Sequence, residues 1–78
     1  MALDQEKPLR PSKHFRNTWL RRWDWDLVQL REVMRSWRME RIGEAKYEIR
    51  MRVGGKGRKV VLVDCEEEIF IITGAEGT

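Results

Sequence analysis

One histidine in the first quarter of the chain is the residue type best suited to acid–base chemistry. His14 opens the segment HFRNTWLRRW, in which Arg21 and Arg22 follow two turns later. A neutral imidazole near the start of a helix can accept a proton from a ribose 2′-hydroxyl, because the helix dipole disfavours its charged form. A surface or capping histidine without a chemical role is the alternative interpretation.

A basic hairpin supplies the second set of candidate residues. Arg50 and Arg52 are two residues apart in an alternating segment, so their side chains are predicted to project to one side of a strand. Arg58 and Lys59 follow a glycine-rich turn, and we expect them to converge with the first pair. Such a patch would bind phosphates or stabilise a pentacovalent phosphorus. A solvated charged face, with Glu48 as ion-pair partner, is the alternative.

The remaining candidates flank this patch. Lys56 lies in the turn itself and adds a cation for binding nucleic acid. Tyr47 is three residues from Arg50, so strand alternation predicts that its side chain points to the opposite face and that its ring lies in the core, unless a bulge redirects it. Its hydroxyl could still reach the sheet edge. Trp25, between two predicted helices, is the tryptophan expected to be exposed and able to stack a base. The other three are predicted to lie in the core: Trp19, Trp23 and Trp37.

Charge is distributed unevenly along this 78-residue chain of net charge +3. Residues 10–59 carry 15 basic and 6 acidic side chains, whereas residues 60–78 carry 5 acidic and no basic ones. This pattern favours a surface that faces a polyanion, although both signs are also normal on a small charged domain.

Cys65 is the only cysteine and His14 the only histidine. A disulfide within the chain is therefore excluded and a Cys/His metal site is not expected, so we expect chemistry without metal or cofactor. The unpaired cysteine is typical of a reducing cytoplasm. No stretch has the length and apolarity of a membrane span, and the first residues do not read as a signal peptide.

The hydrophobic spacing predicts two helices followed by strands. Ser12 is the predicted N-cap of a helix over residues 13–23, and Asp26 is the predicted N-cap of a second helix that ends near residue 38. Alternation then predicts a strand over residues 45–53, and an apolar run at residues 60–65 predicts a strand buried on both faces. A closing strand at residues 69–73 follows.

These elements define the predicted architecture. We expect an α+β domain in which two N-terminal helices pack on a three- to four-stranded antiparallel sheet, the fourth strand being a short edge strand near residues 38–42. Residues 1–11 are predicted to form a disordered or loosely docked arm, residues 12–73 the single domain, and residues 74–78 a flexible tail.

This order of elements resembles the RelE-like ribonuclease toxins, and within them a small branch whose first helix reads His-Ala-x-x-Arg-Met-x-x-Arg-Gly. His14 and Arg22 match the first histidine and the second arginine of that motif, whereas Thr18 stands at the position of the first arginine. The later match comprises the aromatic-led basic strand, the glycine turn, the valine-rich strand ending in aspartate and the final strand ending in Ile-Thr.

The resemblance implies a cytoplasmic, metal-independent endoribonuclease of toxin–antitoxin type, acting on RNA that is free or ribosome-bound and neutralised by a protein antitoxin. It places proton transfer at His14 and phosphate or transition-state binding at Arg22, Arg50 and Arg58. The residues expected to support RNA binding are Arg52, Lys56, Lys59, Arg21 and Tyr47. Two alternatives stay open: a non-catalytic nucleic-acid-binding module, or an inactive toxin-like fold used for protein interaction, which the departure at Thr18 favours.

Overall fold

The computed structural model describes residue 4 and residues 6–77, which form two helices and a five-stranded mixed sheet. The first helix comprises a π-helical segment, Phe15–Leu20, and one α-helical turn, Arg21–Trp23; the second helix is Leu27–Ser36. The strands are β1 (Leu9–Pro11), β2 (Met39–Arg41), β3 (Lys46–Val53), β4 (Lys56–Asp64) and β5 (Ile69–Gly77). The predicted α+β class and the short edge strand are therefore confirmed.

The sheet differs from the prediction by one parallel strand. Its order is β1-β5-β4-β3-β2, in which β1 runs parallel to β5 and all other neighbours are antiparallel. The interpretation of residues 1–11 as a loose arm is wrong for Leu9–Pro11, because the Ser12 N–H donates to Ile71 and the Ile69 N–H donates to Pro8. Prolines are tolerated there because β1 is an edge strand. Residues 1–3 and 5 lie outside the described residues.

Both predicted helix starts are confirmed. The Ser12 hydroxyl accepts a hydrogen bond from the Phe15 N–H at 3.0 Å and donates to the Ile72 carbonyl at 2.7 Å, which ties the first helix to β5. The Asp26 carboxylate accepts from the Gln29 N–H at 2.8 Å, satisfying one of the free amides at the start of the second helix.

One face of the sheet carries the core and the other is open. The helices contribute Phe15, Leu20, Trp23, Leu30, Val33 and Met34, and the sheet contributes Ile49, Met51, Val60, Leu62, Ile69 and Ile71. The prediction that β4 is buried on both faces is wrong, since Val61 and Val63 alternate away from the helices and are only half-buried. No described helix is long and apolar enough to cross a membrane.

A β-bulge in β5 determines to which face of the sheet its last side chains point. The pairing of β4 with β5 runs Leu62 to Ile71 and then Val61 to Thr73, so Ile72 is an extra residue. Such an insertion reverses the alternation that follows. Gly74 and Glu76 therefore face the helices, and the prediction of a flexible tail from residue 74 is wrong up to Gly77, where β5 ends.

Candidate nucleic-acid interface

An open depression of about 600 Å³ lies where the β3–β4 hairpin meets the end of β5. Gly54 and Gly55 close the hairpin with φ angles of 59° and 82°, a combination that side-chain-bearing residues rarely adopt. Among the described residues that line the depression, four are basic and one is acidic: Arg50, Arg52, Arg58, Lys59 and Glu76. The depression thus has a formal charge excess of three positive charges.

The predicted single patch of cations is divided between the two faces of the sheet. Arg50 lies opposite Lys59, and both project to the open face together with Arg52. Arg58 lies opposite Met51, whose side chain is in the core, so Arg58 projects toward the helices. The expectation that Arg58 joins Arg50 and Arg52 on one face is wrong because neighbouring strand residues point to opposite sides.

On the helix side, cations surround one carboxylate, and we call Glu76, Trp23, Arg22, Lys56 and Arg58 the Glu76 cluster. The Trp23 indole N–H donates to Glu76 Oε2 at 2.9 Å. Arg58 Nε, Arg22 Nη2 and Lys56 Nζ lie 3.3, 3.7 and 4.0 Å from its oxygens. The indole hydrogen bond, helped by these charges against the opposing effect of burial, lowers the pKa of Glu76. Glu76 therefore stays ionised at neutral pH.

Arg58 is held in place by aromatic rings. Its guanidinium carbon lies 5.1 Å from the Trp23 ring centre and 5.7 Å from that of Trp25. Its Nε atom is buried and lies near Glu76 without the alignment of a hydrogen bond. Stacking of this kind fixes a guanidinium and lowers the entropy that it loses on binding an anion.

Two tryptophan predictions are wrong. Trp25, expected to be exposed, is half-buried against the core and Arg58. Trp37, expected in the core, is 40% exposed and borders the depression, because it follows the last turn of the second helix and leads into the edge strand. Trp37 is thus the described tryptophan best placed to stack on a base.

A second carboxylate bridges cations on the open face. Glu48 forms an ion pair with Arg50, and its other oxygen lies 4.0 Å from Lys59 Nζ. The Glu48 side chain is 9% exposed, whereas that of Arg50 is 76% exposed. Arg52 is also exposed and contacts the backbone only weakly, at 3.3 Å from the Gly55 carbonyl. Arg52 therefore projects a nearly unpaired guanidinium from the hairpin.

His14 lies apart from this region. It is exposed, and no hydrogen bond or ion pair involves its side chain among the described residues. His14 does not line the depression, and none of the described ion pairs or hydrogen bonds joins it to the Glu76 cluster. Arg22 reaches the Glu76 cluster, whereas Arg21 is exposed and does not contact it.

Tyr47 also lies away from the hairpin end. Its ring is half-buried against the core and pairs across the strands with Leu62, as alternation predicted. Five residues of extended strand separate it from Arg52, which corresponds to about 17 Å. Tyr47 therefore supports the packing of the sheet beneath the helices and does not line the depression.

Glu76 is the functional candidate that the sequence did not reveal. Glu76 faces the helices because the bulge at Ile72 reverses the face to which every later side chain of β5 points. No local sequence pattern marks this bulge. The described residues contain no group of three or more histidine, cysteine or acidic side chains able to hold a metal ion.

Comparison with known proteins adds no assignment: the chain matches no protein-family model, no curated protein and no solved structure.

Proposed function

We propose that the protein binds RNA through the hairpin end of its sheet. The observation that carries this proposal is the depression with four basic lining residues and one acidic one. Cations at this density attract a phosphate backbone and release its counterions. Exposed arginines on the open face and the Glu76 cluster on the helix side would contact successive phosphates around the strand ends.

Single-stranded RNA is the form that this surface fits. The hairpin end offers a shallow depression with an exposed tryptophan at its border, and unstacked bases can pack on such a ring. A rigid duplex would hide its bases from Trp37. The ligand expected is therefore a short flexible strand whose phosphates lie on the cations.

The test is the salt dependence of binding to a fluorescent ten-nucleotide uridine RNA, followed by anisotropy. Four phosphate contacts with a single strand predict that log K falls against log salt with a slope of about −3. The substitution Arg52→Gln should weaken binding several-fold and make the slope shallower by about 0.7. Arg16→Gln, which removes an equal exposed charge from the first helix, is the matched control. An equal loss in both variants would contradict a hairpin-end site.

Cleavage of that RNA is a second candidate, favoured by the ionised Glu76 beside three cations. Its carboxylate would take the 2′-hydroxyl proton while the 2′-oxygen attacks phosphorus. Arg58 and Arg22 would stabilise the charge on the pentacovalent phosphorus, and the 5′-oxygen would leave with a proton from Lys56 or water. This route needs no metal ion, and it agrees with a cytoplasmic RelE-like toxin that a protein antitoxin neutralises.

The cleavage candidate is tested with RNA in excess chelator. Glu76→Gln should abolish product formation while RNA binding is retained. His14→Ala should leave the rate unchanged if Glu76 is the base, whereas the motif resemblance makes His14 essential. Binding without any cleavage by the wild-type protein would leave the non-catalytic RNA-binding function alone.

A further inference from the structure

The Glu76 cluster holds more positive charge than its carboxylate can neutralise. Arg22 comes from the first helix, and Lys56 and Arg58 come from β4, so three cations from two elements meet one carboxylate. The Glu76 side chain is only 12% exposed, so water screens the charges of the Glu76 cluster less than it screens charges on the open surface. Two positive charges remain uncompensated within the cluster.

The distances show that the cations are not saturated. Charge-assisted hydrogen bonds measure about 2.7–2.9 Å, whereas Arg22 and Lys56 lie 3.7 and 4.0 Å from Glu76. Neither of these two side chains donates a hydrogen bond within the described residues, and both are more than half exposed. A tetrahedral phosphate, which is larger than a carboxylate and has more acceptor oxygens, could contact all three cations directly.

We propose that Glu76 occupies a phosphate-binding subsite and acts as its internal competitor. This inference rests on the proposed RNA-binding function and deepens it, because it assigns one phosphodiester of the ligand to Arg22, Lys56 and Arg58. An incoming phosphate displaces Glu76 from these cations, while Glu76 keeps the hydrogen bond from the Trp23 indole. The wild-type protein therefore binds the RNA phosphate less tightly than its three cations would bind it without Glu76.

Glu32 offers a control with the same change of charge. It lies on the second helix, 3.6 Å from the Arg35 guanidinium, and does not line the depression. Removing either carboxylate changes the net charge by the same amount. A general increase in positive charge would act equally at both positions, whereas a displaced competitor acts only at Glu76.

The experiment compares wild type, Glu76→Gln and Glu32→Gln in the full chain. The glutamine carbonyl at residue 76 can still accept from Trp23, so the fold is retained and is verified by circular dichroism. Ten-nucleotide uridine RNA is titrated at several salt concentrations, and inorganic phosphate is titrated with tryptophan emission as the readout, because Trp23 and Trp25 flank Arg58. Glu76→Gln should bind RNA about five-fold tighter with a slope steeper by roughly 0.7, whereas Glu32→Gln should change affinity less than two-fold.

Three results overturn the inference: an unchanged affinity in Glu76→Gln, an equal gain in Glu32→Gln, or a gain that survives when Arg22→Gln is added. Loss of the gain on adding Arg22→Gln supports it. If Glu76→Gln does not fold, Arg22→Gln alone should weaken RNA binding by the wild-type chain about three-fold, and an unchanged affinity rejects the subsite. If no variant binds RNA yet Glu76→Gln binds inorganic phosphate more tightly than wild type, the RNA function fails while the subsite stands.

Discussion

Gly74 is the position at which the packing over the site can be tested most sharply. A Cβ atom at this residue would lie 3.0 Å from the Trp23 ring, 3.1 Å from the Phe15 ring and 3.1 Å from the Lys59 carbonyl oxygen. All three neighbours are held by the core or the sheet, so none can move freely. The substitution Gly74→Ala should therefore displace Trp23, the residue that donates to Glu76.

The expected cost follows from these contacts. Inserting one methyl group into a well-packed core costs about 1–3 kcal/mol. Replacing glycine by alanine returns about 0.4–1 kcal/mol by restricting the unfolded chain. A net loss of about 1–2 kcal/mol in the free energy of unfolding remains, which lowers the melting temperature of a domain of this size by roughly 5–15 °C.

Urea unfolding and calorimetry measure this loss, and Gly77→Ala is the control. Gly77 lies in the same strand, and a Cβ atom there would meet nothing within 4 Å. Its substitution should change the free energy of unfolding by less than about 0.5 kcal/mol. Equal stability of the two variants would refute the placement of the Trp23 and Phe15 rings against β5, and with it the position of the Glu76 cluster.

Further predictions concern the helix ends and acid stability. Asp26→Ala should lower the free energy of unfolding by about 1 kcal/mol in urea titrations, because the Gln29 amide loses its acceptor. Asp24→Gly should raise the melting temperature, since Asp24 has a φ of 54° that glycine adopts at lower cost. The lowered pKa of Glu76 contributes stability that is present above its ordinary pKa of 4.5 and is lost as the pH falls through the folded value. Glu76→Gln should therefore lose less stability than wild type as the pH falls below 4.5.

Local chemistry explains what the sequence could predict. Ser12 and Asp26 were recognisable as N-caps because their side chains satisfy amides three residues later, whatever the tertiary fold. The Gly54–Gly55 pair marks its turn because both φ angles must be positive. Strict alternation also placed Tyr47 and Arg50 on opposite faces of β3.

The residues whose positions the sequence did not predict depend on pairing between distant strands. Leu9–Pro11 forms a strand only because β5 offers its edge, and two prolines hide that tendency in the sequence. Ile72 becomes a bulge only in register with β4, and this shift turns Glu76 toward the helices. Arg58 and Lys59 are adjacent in β4, so they point to opposite faces of the sheet and cannot form one patch on a single face.

Nuclear magnetic resonance of the ¹⁵N-labelled chain, titrated with ten-nucleotide uridine RNA, tests the central claim most directly. The amide signals of residues 50–59 and 75–77 should shift together with RNA concentration, and the indole signal of Trp37 should shift with them. Shifts confined to the second helix or to the neighbourhood of His14, or an unchanged spectrum at low salt with RNA in excess, would contradict RNA binding at the hairpin end.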